Sequence, residues 1–164
     1  MPTKPKERAP AAPEQAYLIA PWLEPRMVVR ENMTAPPILR GGAEVFALLQ
    51  PRLVDAATER FVAIYLDAKG RPLGAVEIST GTLTASLVHP REVFAPALMV
   101  RAAAVIVAHN HPSGDPEPSA EDRATTRRLV RAGRLLGVEL LDHVVIARAG
   151  YVSFLERGWL EGGA

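Results

Sequence analysis

The feature that most constrains this chain is a short apolar run, residues 103–108 (AAVIVA), lying between the polar residues Arg101 and His109. It is too short for a typical helix and carries no polar face. A run of this kind reads as a strand buried on both sides, and such a strand needs cover above and below. The surrounding patterns supply the cover. Residues 61–66 (FVAIYL) are aromatic and β-branched, the string Asp67-Ala68-Lys69-Gly70 signals a turn, and residues 72–79 read as the return strand of a hairpin. A further strand is expected over residues 82–88. Residues 90–99 start as a helix with proline at an early position, although Pro96 is awkward inside it. Residues 119–136 read as helix, 139–147 as strand and 151–154 as a last edge piece. Strands alternating with helices predict an α/β fold, an α+β sandwich in which a central mixed sheet is flanked by two or three helices.

Proline divides the chain. Eight of its fifteen prolines lie within residues 1–37, where each removes a donor and disfavours helix before it. Residues 1–40 are therefore expected to be a proline-rich tail or linker, disordered over 1–15. Residues 17–19 and the pair Trp22-Leu23 are able to dock, and a short strand is expected at 26–30. The folded domain is expected over 41–164. It opens with helical composition at 44–49, which Pro51 interrupts, and a possible helical continuation at 54–58.

Composition excludes several classes. Nineteen basic against eighteen acidic residues give a net charge of +1, so the chain is no global polycation built for nucleic acid. With no cysteine there is no disulfide framework, no thiolate nucleophile, no cysteine zinc finger and no iron–sulfur cluster. Any metal must use His, Asp or Glu. The N-terminus lacks the apolar core of a signal peptide, and the longest apolar run, residues 102–108, is too short to span a bilayer. A soluble, cytoplasmic protein with no membrane partner is expected.

The chemistry concentrates in residues 108–122, AHNHPSGDPEPSAED. His109 and His111 lie two apart at the end of a strand, so both imidazoles project to one face while Asn110 points to the other. Two adjacent imidazoles suit Zn²⁺. Pro112-Ser113-Gly114 breaks the strand, and Ser119 precedes a helix with Asp122 three residues later. Asp122 is a candidate third ligand and Asp115 is its rival. Two histidines, one carboxylate and an open position form the pattern of a catalytic zinc. Ser-x-x-Asp before a helix is equally the pattern of a capping box, and a ligand carboxylate is not expected to turn back fully to cap as well.

Outside this stretch the signals are weaker. Arg123, Arg127, Arg131 and Arg134 follow one another at spacings of four, four and three on one helix and form a stripe, read as a solvated face and alternatively as a weak nucleic-acid or phosphate patch. Thr125, Leu129, Ala132 and Leu136 are assigned to the core. His143 reads as one half of a structural pair with Asp142, or as support for a metal ligand. His89 reads as a loop residue, and Trp22 and Trp159 as covers over core edges.

The spacing His109-x-His111, seven residues, Ser119, two residues, Asp122 matches the signature of the JAMM (MPN⁺) zinc metalloproteases. Together with HPREVF before it and LLDHVVIA after it, the string HNHPSGDPEPS resembles the RadC family, whose JAB-type domain carries that signature. The resemblance covers about residues 41–158. It implies the JAB/MPN, cytidine-deaminase-like architecture, Zn²⁺ held by His109, His111 and Asp122, and hydrolysis of an amide or isopeptide bond in a peptide or protein. By the same similarity Glu59, at the start of the first strand and fifty residues before His109, is the general base, with Glu77 and Glu92 as competitors. Ser119 stabilises the oxyanion. RadC proteins, a family labelled with DNA repair, commonly carry a helix–hairpin–helix region before this domain. Here proline-rich residues stand there, so no DNA-binding role is carried over. The alternative is a non-catalytic scaffold or nucleic-acid-associated module.

Overall fold

A computed structural model of the chain describes residues 37–81 and 88–160. The tail, the segments 17–19 and 22–23, the strand expected at 26–30 and all but the last residue of that expected at 82–88 lie outside them. The described elements run α1 (Gly42–Leu53), β1 (Arg60–Leu66), β2 (Pro72–Thr80), α2 (Pro90–Met99), β3 (Ala104–Asn110), α3 (Ala120–Leu136), β4 (Glu139–Ala147) and β5 (Gly150–Ser153). The strands form one mixed sheet in the order β2-β1-β3-β4-β5, with β3 and β4 parallel and the other described pairs antiparallel.

The strand at 103–108 is the centre of this sheet, and β3 is buried at every position. Its alternation sorts two cores. Val105 and Val107 join Phe61, Ala63 and Tyr65 against Val93, Phe94 and Ala97 of α2 and Leu129 and Val130 of α3. Ala104, Ile106 and Ala108 join Val62, Ile64 and Leu66 against Val45, Leu49 and Leu53 of α1. The β1–β2 hairpin closes as its sequence suggests: Asp67 Oδ1 accepts from the backbone N–H groups of Lys69 (2.8 Å) and Arg71 (3.0 Å). Half-exposed β2 is an edge strand that begins at Pro72, where a missing donor is tolerated.

The structure revises four local expectations. Pro51 does not interrupt α1, which runs on to Leu53, and residues 54–58 do not continue it. Both Pro51 and Pro96 deprive an exposed residue, Ala47 and Glu92, of the donor to its carbonyl, and water can replace that donor. Leu136 is not core but 44% exposed. It is the last residue of α3, and Gly137, left-handed at φ 69°, turns the chain away. His89 is the N-cap of α2, its ring accepting from Arg91 N–H at 3.2 Å. At the other end of the fold, a Cβ on Gly42 would lie 2.6 Å from Tyr151 and 2.8 Å from Ser153, so the first turn of α1 packs on β5 only as glycine.

One irregularity decides the site. Val105 pairs with Leu140, but Ile106 pairs with Asp142, which leaves Leu141 as an additional residue in β4. Beyond it the alternation of β4 is inverted. Leu140 faces the core under α2 and α3, and so does His143 rather than Asp142. Asp142 turns instead to the last segment of the fold, accepting from His143 N–H (2.7 Å), the Ser153 hydroxyl (2.6 Å) and Leu155 N–H (2.9 Å). Burial pushes its carboxyl up.

Candidate metal centre

β3 extends two residues past the apolar run, and its final residues carry the chemistry. His109 continues the parity of Val105 and Val107 and is fully buried beneath α3, stacked on Phe61 with ring centroids 6.0 Å apart. His111 follows where the loop begins, and its backbone N–H is held by the Ile146 carbonyl at 2.8 Å. The two Nε2 atoms face each other at 3.0 Å.

α3 brings the third group. Asp122 Oδ1 lies 3.3 Å from His109 Nε2 and Oδ2 lies 3.4 Å from His111 Nε2. The ligand-capable atoms of His109, His111 and Asp122 all fall within 4.8 Å of one another. The capping box is also present: Ser119 Oγ accepts from Asp122 N–H (3.1 Å), while Asp122 Oδ2 accepts from Ser119 N–H (2.8 Å) and from the Ser119 hydroxyl (2.7 Å). The cap and the approach to both histidines thus coexist in one carboxylate. A carboxylate has two oxygens and about four acceptor sites. Oδ2 takes both serine donors, and Oδ1 stays directed at His109.

The donor set fits a divalent cation. His111 Nδ1 lies 2.9 Å from the Asp115 carbonyl, which only accepts, so Nδ1 carries the proton and Nε2 presents a lone pair inward. Burial raises the Asp122 carboxyl, but contacts with His109, His111 and Ser119 outweigh it and hold the carboxyl well below the ordinary range. The contact with Asp122 raises His111, against burial. One carboxylate and two imidazoles gathered at this spacing form a donor set that suits a divalent cation.

A cavity of about 340 Å³ opens over this cluster and is lined by Glu59 and Ser119 as well as His111 and Asp122. In the β1–β3 register Phe61 is opposite His109, so Glu59 continues the line opposite His111. Glu77 is elsewhere, beside Arg60 on β2, and Glu92 pairs with Arg91 on α2. Asp115 contributes its backbone to His111 while its carboxylate accepts from Glu117 N–H at 3.0 Å.

The family described as the RadC-like JAB domain matches residues 39–159. The chain belongs to this family. It is 58% identical over 118 residues to a UPF0758 protein of Symbiobacterium thermophilum, covering 72% of this chain and 50% of the relative. It is 56% identical over 116 residues to a UPF0758 protein of Syntrophotalea carbinolica, covering 71% and 51%. A UPF0758 protein of Methanosarcina acetivorans is 48% identical over 117 residues, again covering 71% and 51%. The chain thus spans about half the length of these curated relatives.

Two contributors to this RadC-like JAB site were missed or undervalued in the sequence. Asn110, pointing away from the histidines, clamps the backbone on both sides of Glu59: its Oδ1 accepts from Arg60 N–H (2.8 Å) and its Nδ2 donates to the Thr58 carbonyl (3.1 Å). The only sequence signal was a polar residue ending an apolar strand. His143 is fully buried, stacked on Phe154 at 4.8 Å, with Nε2 at 2.8 Å from His109 Nδ1. Burial holds its imidazole well below the usual range. The arginine stripe is unequal. Arg127, Arg131 and Arg134 are exposed, but Arg123 donates to Glu117 at 3.0 Å and lies 3.8 Å over the Trp159 ring. No helix among the described residues is long and apolar enough to cross a membrane.

Proposed function

We propose that this RadC-like JAB domain is a zinc-dependent hydrolase of the JAMM type, cleaving an amide or isopeptide bond in a peptide or protein. The observation that carries the reading is the convergence of His109, His111 and Asp122, with His111 and Asp122 lining a cavity that Glu59 and Ser119 also line. Zn²⁺ held by these three residues would supply an activated water of pKa about 7 and an electrophile for the substrate carbonyl. Glu59 takes the proton from the attacking water and returns it to the leaving amine, a role that needs a carboxylate beside the nucleophile. Asn110 holds the backbone that carries Glu59. Ser119, whose hydroxyl proton rests on Asp122 Oδ2, turns it toward the oxygen on which charge develops.

Metal analysis of protein purified without added zinc tests the reading, together with hydrolysis of peptide and isopeptide substrates. About one zinc per chain is expected, lost in His109→Ala and in His111→Ala. Full zinc in either variant, or none in the parent, overturns it.

The exposed Arg127, Arg131 and Arg134 support a second reading, a nucleic-acid-associated module. With a net charge of +1, binding is expected to be weak and salt-sensitive. Tight duplex binding at physiological salt that Arg127→Glu with Arg131→Glu leaves intact would contradict the stripe as its origin.

A further inference from the structure

The side chain of His109 is not supported by a carbonyl or carboxylate directly. Its Nδ1 meets His143 Nε2 at 2.8 Å, and His143 Nδ1 meets Thr126 Oγ1 at 2.6 Å. Thr126 Oγ1 in turn lies 2.7 Å from the backbone carbonyl of Asp122, one turn back on α3. Thr126 and His143 are both buried, at 1% and 0% exposure, and the walls around His143 are Phe61 and Phe154. Neither residue touches the cavity.

A neutral imidazole carries one proton, so each bond in this chain sets the next. The Asp122 carbonyl can only accept, and a contact of 2.7 Å between two oxygens requires a proton between them. That proton is the Thr126 hydroxyl's. Thr126 Oγ1 must then accept from His143 Nδ1–H, which leaves a lone pair on His143 Nε2. His109 must donate its Nδ1–H to that lone pair, and its own Nε2 is left unprotonated, facing His111 and Asp122. The opposite polarity would put a proton on His109 Nε2, aimed at Asp122 Oδ1 3.3 Å away, and would close the centre to a cation.

We infer that Thr126 and His143 are positioning residues that set His109 in its metal-ready tautomer before any metal arrives. The inference rests on the metal-centre reading above and assigns roles to two residues that never meet the ligand. Asp122 then acts at both ends: its carboxylate joins the ligand set and its carbonyl anchors the relay that prepares His109. Supporting groups of this kind typically affect metal affinity by about 10–100-fold.

The test has two arms. Nitrogen-15 spectra of the metal-free protein, recorded above the histidine titration range, report which ring nitrogen carries the proton. Nδ1–H is expected for both His109 and His143. A proton on His109 Nε2 overturns the inference whether or not the protein binds zinc, so this arm stands if the hydrolase reading fails. In the second arm, zinc affinity is measured by chelator competition in Thr126→Val and Thr126→Ser. Valine keeps the shape and removes the hydroxyl, so affinity is expected to fall about 10–100-fold with fold retained. Serine restores the hydroxyl and is expected to restore affinity. A folded Thr126→Val protein that binds zinc as tightly as the parent, or a Thr126→Ser protein as weak as Thr126→Val, refutes the relay.

Discussion

Asp122→Asn separates the two duties of one side chain. Asparagine keeps the length of aspartate and an oxygen that can accept from Ser119 N–H and Oγ–H, now 2.8 and 2.7 Å from Oδ2. The helix cap therefore survives. With that oxygen committed, the amide nitrogen occupies the Oδ1 position, 3.3 Å from His109 Nε2, and donates into the lone pair that a metal would use. Metal-free stability should change by only about 0.3–1 kcal/mol, the worth of a negative charge at a helix N-terminus. Zinc binding should suffer far more. Four-ligand structural sites bind with roughly 10–16 kcal/mol, about 2.5–4 kcal/mol per ligand, so loss of one ligand weakens affinity by roughly 10²–10³-fold. At zinc one-hundred-fold above the parent's Kd, linkage stabilises the parent by about 2.7 kcal/mol, and a hundred-fold weaker variant by only about 0.4 kcal/mol. For a domain of this size these values correspond to melting shifts of roughly 5–11 °C and about 1–2 °C. Thermal melts with zinc and with chelator measure both. An undiminished zinc shift in Asp122→Asn would refute the ligand assignment. A metal-free loss of several kcal/mol would refute the claim that the cap is retained.

Glu59→Gln should keep zinc and fold while hydrolysis falls about 10²–10⁴-fold, because an amide cannot take the proton; equal activity would place the base elsewhere. Ser119→Ala should cost about 1 kcal/mol of stability in denaturant melts and lower the rate roughly 10²–10³-fold without loss of zinc. Ser119→Asp and Ser119→Asn are comparable caps in general, but here aspartate would face the Asp122 carboxylate and asparagine can donate to it, so the asparagine variant should be the more stable; the reverse order would contradict the hydroxyl's donation to Oδ2. Tyr65, fully buried with its hydroxyl donating to the Val93 carbonyl at 3.0 Å, is held by burial well above the ordinary phenol range. Its folded pKa exceeds the unfolded value of about 10, so its stabilisation is complete below that pH and is lost above it by up to about 1.4 kcal/mol per pH unit. Tyr65→Phe should flatten this alkaline decline in urea melts while costing about 1 kcal/mol at neutral pH, and identical slopes would contradict the assignment.

What the sequence determined by itself is local. Strand period put His109 and His111 on one face and Asn110 on the other, and the apolar run before them announced a strand covered on both sides. Ser119 and Asp122 announced a helix start, and the turn at Asp67–Gly70 announced the hairpin. The mixed sheet between helix layers followed from the order of these elements. The prolines misled at 51 because a proline's cost depends on whether the carbonyl it orphans is exposed, which is a property of the packed helix.

Only the tertiary structure decided how the parts meet. Glu59 reaches the cavity because β1 pairs antiparallel with β3 in one register, with Asn110 bonding across that pair. Asp122 serves as cap and candidate ligand together because the loop at 111–118 returns the start of α3 over the end of β3. His143 lies beneath His109 because one additional residue, Leu141, inverts the alternation of β4. Local period places a side chain on a face only while pairing is regular. A bulge arises between strands far apart in sequence, and it is this long-range pairing that sets His143 between His109 and Thr126.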